Sequence, residues 1–425
     1  MNLLIKSAKI IDLNSKFHNK IVDIYIKDGK IDKIGKSLNI SKSVNNKTQV
    51  FSAKNLHISP GWFDMHANFG EPGYEHKETI NSGSLSALSG GFTGVLIMPN
   101  TNPKLDNKGL ISYIKKITKN NIVDIIPAGN LTRNGLGKNM VDMYDMHKEG
   151  CLAFTDDKDS INSNKLLKIA MLYSKDFDGL IMNFPYDKSL SDGVINEGIT
   201  STKLGLRGIP SISEEIMLDR DIALCEYTKS KFHSSYISTI NSIKKIRNAK
   251  RKGLNITTDV CVYNTFLTDN YLNDFDSRFK TLPPLRTKND IRAIIKALKD
   301  GTIDVITMDH TPQEQESKKI EFDNAAFGII GLESGFGLIG KYLLPHIELS
   351  QIINLLSTNA RKILKLPEIK IDKGEKANIT MFDPTLEWEL KYDNLKSLSY
   401  NTPFLGHKLK GKPLAIYNNK QFKKC

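Results

Sequence analysis

Four short stretches of this chain carry side chains able to do chemistry, and each closes an apolar run: Asp64-Met65-His66-Ala67-Asn68, Met98-Pro99-Asn100-Thr101, Phe154-Thr155-Asp156-Asp157 and Met308-Asp309-His310. Imidazole and carboxylate are groups that bind divalent metals, and carboxylates also carry protons, so the four can be read together as one site. Asn68 stands two residues after His66, where a second imidazole would complete a metal-binding pair. A carboxamide replaces imidazole poorly on a zinc-type ion, which prefers nitrogen and thiolate donors. Each residue also has a plainer reading. Asn100, ahead of Thr101 and Pro103, can simply make a turn, and Asp156-Asp157 can cap a helix. A single His66 is more often a satisfied buried histidine than a ligand. Their shared position at the ends of apolar runs is what argues for a site.

Those runs need a scaffold that brings their ends together. Between about residue 59 and residue 365, apolar segments alternate with helical ones, the pattern of βαβ units and a parallel sheet. Eight strands are expected, at 57–66, 93–98, 122–127, 151–155, 179–183, 231–238, 255–262 and 304–309, with amphipathic helices between them such as Ile291 to Leu298. Eight βα units predict a (β/α)8 TIM barrel, whose active face lies at the C-terminal strand ends. A doubly wound open sheet is the alternative, but no Gly-x-Gly-x-x-Gly follows the first strand of the alternating region. Residues 1–58 and 366–425 read as short alternating strands, with Asp28-Gly29 as a hairpin turn, and predict one small β domain assembled from both termini. The segments 184–212 and 311–326 are expected as loops that close over a substrate.

Composition narrows the function classes. The 425 residues, 40% hydrophobic and 25% charged, suffice for a large core and exclude a disordered chain. The net charge of +13 could suggest a nucleic-acid partner, but only nine of the 60 basic residues are arginine and the cations are spread along the chain. Phosphate recognition favours clustered arginine, so no nucleic-acid binding is expected. Cys151, Cys225, Cys261 and Cys425 are scattered without metal or disulfide spacing and read as buried small hydrophobes in a reducing compartment. No apolar run reaches the roughly 18 residues of a membrane span, and the N-terminus lacks a signal-peptide pattern, so a cytoplasmic location is expected.

Nearly end to end, the chain resembles the dihydroorotases, within the cyclic amidohydrolases. The resemblance rests on Pro60-Gly61-Trp62-Phe63-Asp64-Met65-His66, Glu71-Pro72-Gly73, Gly90-Gly91-Phe92-Thr93, Met98-Pro99-Asn100-Thr101-Asn102-Pro103, Phe154-Thr155-Asp156-Asp157, Leu282-Pro283-Pro284-Leu285-Arg286, Gly331-Leu332-Glu333 and Asn401-Thr402-Pro403-Phe404. It implies a barrel enzyme of pyrimidine biosynthesis in which two zinc ions activate a hydroxide and a strand-eight aspartate moves the proton. Carried over by position, it implies His66 as a metal ligand, Asp157 or alternatively Asp156 as the metal-bridging carboxylate, Asp309 as the catalytic proton carrier and Asn100 as a substrate contact.

The same resemblance marks losses. The family's other metal histidines are replaced by Asn68, Asn183 and Tyr236, and using His233 instead would move the imidazole three residues upstream. Gly70 and Gln313 stand where an arginine and a histidine would hold the substrate carboxylate, and Tyr263-Asn264 replaces a histidine pair. Losing several metal ligands should cost far more than the 10- to 100-fold typical of outer-shell changes. A weak single ion, or none, is therefore expected. The expected reading is a catalytically silent homologue that assembles with aspartate carbamoyltransferase in a homo- or hetero-oligomer; the alternative is an active dihydroorotase or related hydrolase of a cyclic amide with a reduced metal site.

Overall fold

A computed structural model describes residues 2–38, 48–190 and 192–425. Its centre is a ring of eight parallel strands: Trp62–Ala67, Phe92–Ile97, Asp124–Pro127, Ala153–Phe154, Leu180–Asn183, Phe232–Ser234, Ile256–Cys261 and Val305–Thr307. The ring closes through two short bridges, Gly129 to Phe154 between strands three and four and Ala67 to His310 between strands eight and one. Inward-facing Phe63, Met65, Leu96, Met98, Met182 and Val305 fill it, so the barrel is a packed core rather than a pore.

The helices form for local reasons and dock through one face. In Lys288–Lys299, the Thr287 side chain accepts from the Asp290 amide and Asp290 caps in return, while Ile294, Ala297 and Leu298 are buried. That reciprocal cap satisfies amides the helix start would otherwise leave unpaired.

Both termini contribute to a second sheet of eight strands. Along it run Gln421–Lys424, Lys408–Asn418, Ile379–Glu389, His57–Pro60, Asn2–Ile10, Ile21–Lys27 and Lys30–Gly35, with Thr48–Phe51 beside Asn2–Ile10. Leu3, Ile5, Ile24, Ile58, Ile379 and Met381 make its separate core. The expected hairpin at Asp28-Gly29 is present, with both residues at positive φ.

Two expected strands differ from the structure. The run 57–66 is two strands in two sheets, divided at Gly61. A Cβ at Gly61 would lie 1.9 Å from Asn378 Oδ1 and 2.1 Å from Thr93 Oγ1, so only glycine lets the chain cross there. The run 231–238 pairs only over Phe232–Ser234, because Tyr236 turns out of the sheet at φ 56°. Of the cysteines, three are buried, but Cys425 is only partly so, and all four are free thiols. No described helix is long and apolar enough to cross a membrane.

Candidate active site

The C-terminal strand ends deliver the expected residues to one place. Asn68, Asn100, Asp157 and Lys158 line a pocket of about 610 Å³, together with Tyr186 from segment 184–212, Thr311 and Gln313 from segment 311–326, and Phe327. Asp309 is buried and is joined to two of the lining residues, Lys158 and Thr311. The position of Asp309 is set from below: Asp64 on strand one accepts from Thr307 Oγ1 and from the Met308 amide, both at 2.8 Å, which ties the end of strand eight to strand one. Asp157, Tyr236 and Asp309 all adopt left-handed backbone, with φ of 51°, 56° and 45°. That conformation is uncommon for residues with a side chain and is held here by the contacts each of the three makes.

The two neighbouring aspartates separate cleanly. Asp156 is buried and accepts from the Leu131 and Thr132 amides, Asn130 Nδ2 and the Thr132 hydroxyl, so both its oxygens hold the 130–132 loop. Asp157 faces the pocket, accepting from Asn100 Nδ2 at 2.5 Å and the Tyr236 hydroxyl at 3.3 Å. Burial pushes the Asp157 carboxyl above its ordinary range, against the attraction of Lys158 and His66.

Asp309 is the most heavily served group. Lys158 Nζ donates to both of its oxygens at 2.8 Å, Tyr263 OH donates to Oδ2 at 2.8 Å and Thr311 Oγ1 reaches Oδ1 at 3.2 Å. Burial disfavours the charge on Lys158, but the carboxylates of Asp309 and Asp157 outweigh it and hold the ammonium above its ordinary value.

Beneath this lies a second cluster. His66 Nε2 and His233 Nε2 both contact Asp259 Oδ2, at 2.5 and 2.7 Å, and the Tyr236 amide donates to Oδ1 at 2.7 Å. Burial opposes charge on Asp259, yet His66 and the hydrogen bonds from both imidazoles prevail and hold its carboxyl well below the usual range. Although burial also opposes it, the His66 imidazolium is favoured by Asp259, Asp157 and Asp64.

The residues do not fit a pair of zinc ions. Asn68 Oδ1 accepts from Asn100 at 2.9 Å. Asn183 is turned away from the pocket, accepting from the Ile161 amide at 3.1 Å and donating to Asp221 at 2.8 Å. The Tyr236 phenol, buried near Asp157, Asp309 and Asp259, is pushed well above its ordinary pKa and stays protonated. Among the described residues, His66, His233 and Asp259 form the one group with the donor types for a single ion. An ion entering there must displace the protons that now join those three side chains.

Three features escaped sequence reasoning. Lys158 sits directly after Asp157 and looked like one of many lysines. Asp259 lies inside the strand Ile256–Cys261 and His233 three residues before Tyr236, yet Asp259 bonds the imidazoles of both His66 and His233. Gly70 leaves no room for a longer side chain, since a Cβ there would lie 2.2 Å from Tyr74 O. Gln313 is spent on the loop itself, donating to Phe327 O and accepting from Lys77, both at 3.0 Å.

A closed (β/α)8 barrel with a sheet built from both chain ends and polar groups at the strand C-termini defines an amidohydrolase-type protein. In fold it is similar to the L-hydantoinase (dihydropyrimidinase) of Arthrobacter aurescens, with a TM-score of 0.86 at 17% identity over 99% of this chain and 95% of that one. A D-hydantoinase gives 0.79 at 21% identity. The family model described as Dihydro-orotase-like matches residues 56–242. The chain is 39% identical to the dihydroorotase of Caldicellulosiruptor saccharolyticus, over 99% of this chain and 98% of that protein. It is 40% identical to that of a Thermoanaerobacter species, over 97% and 94%. The chain belongs to the dihydroorotase family.

Proposed function

We propose that this chain interconverts carbamoyl aspartate and dihydroorotate, the dihydroorotase step of pyrimidine biosynthesis, at a site that works without the binuclear zinc centre. The observation that carries the reading is Asp309, a buried carboxylate held by Tyr263 and by Lys158, which itself lines the pocket. In the ring-opening direction, water adds its oxygen to the ring carbonyl carbon and the ring C–N bond breaks. Asp309 takes the proton from that water and returns it to the departing nitrogen. Asn100 offers the substrate a polar contact, exchanging one of its bonds to Asn68 and Asp157 for it.

The reading is tested with purified protein and carbamoyl aspartate, following dihydroorotate formation with and without a strong chelator. Turnover that survives chelation supports it, and absence of turnover at high protein concentration rejects it. One observation favours a second reading, that of a catalytically silent scaffold, for which aspartate carbamoyltransferase is the partner proposed: the Asn183 side chain is committed to hydrogen bonds with the Ile161 amide and Asp221. That reading expects no turnover and co-elution with the transcarbamoylase on gel filtration.

A further inference from the structure

We infer that Lys158 is the resident cation of this site, its ammonium holding between Asp309 and Asp157 the place and charge that a metal ion would otherwise fill. The geometry is specific. Nζ lies 2.8 Å from both oxygens of Asp309, and the face of the Tyr236 ring is 4.9 Å away. The Lys158 side chain is 17% exposed against 1% for Asp309, so the ammonium is enclosed by its partners yet still reaches the pocket. A divalent ion bonded to Asp309 would sit about 2.0–2.2 Å from an oxygen, and an ammonium 2.8 Å from both oxygens would then face it as a like charge at close range. Metal entry therefore requires expelling Lys158. With it would go the charge that allows two buried carboxylates to stand together.

An ammonium has three N–H donors and no acceptor, and two are spent on Asp309. The third is left for an oxygen brought into the pocket. Resting on the reading that the pocket takes a cyclic amide or its ring-opened acid, this assigns Lys158 as a contact for the reacting carbonyl oxygen. A fixed positive charge in a partly dry pocket stabilises charge developing on such an oxygen without reorganising at the moment of reaction. Lys188, which also lines the pocket, cannot substitute, because it is half exposed and paired to Asp159 at 2.6 Å.

The test is metal loading and stability, independent of turnover. Wild-type and His233→Ala proteins are incubated with zinc, passed through gel filtration and their metal counted by elemental analysis, with thermal melts of wild type and Lys158→Met recorded with and without divalent cations. Both should retain less than about a tenth of an equivalent of zinc, and the wild-type melting temperature should ignore the ion. Lys158→Met, which strands two carboxylates, should melt about 3–6 °C lower and recover part of that loss when a divalent cation is added. Lys158→Arg should keep the wild-type melting temperature to within about 2 °C. One or more equivalents of zinc on a His233→Ala protein, whose lower cluster has lost an imidazole, overturn the inference whether or not the Lys158 variants fold. So does a Lys158→Met protein as stable as wild type and indifferent to cations. If the His233→Ala protein holds no zinc and the cation rescue appears but wild type never forms dihydroorotate, the proposed activity falls and the cation assignment stands.

Discussion

Two charged clusters lie one above the other in the barrel mouth, and they solve the same problem differently. The lower one sets a carboxylate, Asp259, between two imidazoles with every member almost fully buried. The upper one sets an ammonium against Asp309 and Asp157, with the lysine open to the pocket. Tyr236 joins them, its amide on Asp259 and its hydroxyl on Asp157, with its ring 4.1 Å from that of His66. Both balance buried negative charge with the chain's own cations. Only the upper one can exchange a partner for a substrate, so burial rather than residue type separates a structural cluster from a chemical one.

The comparison is sharpened most by Asp309→Asn. If the upper cluster does chemistry, dihydroorotate formation should drop by about 10²- to 10⁴-fold in protein that is still folded, a loss larger than the few degrees of melting temperature given up with the Lys158 pair can explain. Equal turnover in variant and wild type would place the proton carrier elsewhere. Asp259→Asn should do the reverse. Removing the charge between two buried imidazoles should lower unfolding free energy by about 3–5 kcal/mol in urea titrations, and a loss below about 1 kcal/mol would break the distinction drawn above.

Asp64, below both clusters, supplies a pH test. Burial raises its carboxyl to about 6, outweighing its bonds from Met308 and Thr307. The folded state then holds that proton more tightly than the unfolded chain does. Its contribution to stability is greatest below about pH 4 and is lost as pH rises through 6. The stability of wild type relative to Asp64→Asn should therefore fall by about 2 kcal/mol between pH 4 and pH 7, and a flat difference would contradict the assignment. The smallest effect belongs to Tyr236→Phe. Its long hydroxyl contact should be worth about 1 kcal/mol or less, and a much larger loss would mean the phenol couples the two clusters.

Much of the scaffold could be read from patterning. Period and punctuation located the eight barrel runs and the strand-rich ends, because a strand buried on both faces must be apolar along its length. What patterning missed was where a run changes sheets, as at Gly61, and where it leaves one, as at Tyr236. Both depend on neighbours distant in sequence. The candidate site was legible for His66, Asn100, Asp157 and Asp309, which stand at strand ends. Lys158 carried no signal among so many lysines, and Asp259 was hidden in an apolar run. Asn183 could be identified as a replaced ligand position but not as a packing group, since its partner Asp221 lies 38 residues away.

By itself the sequence determined the donor types: it places two carboxamides and a phenol at three positions and acids at two others, and no fold can turn an amide into an imidazole. Only tertiary structure decided what those groups face. Which aspartate opens to the pocket, which histidines share a carboxylate, and which of the chain's many lysines stands between Asp157 and Asp309 are set by distances across the barrel. Electrostatic partnership depends on those distances and on burial, and neither is written in the order of residues.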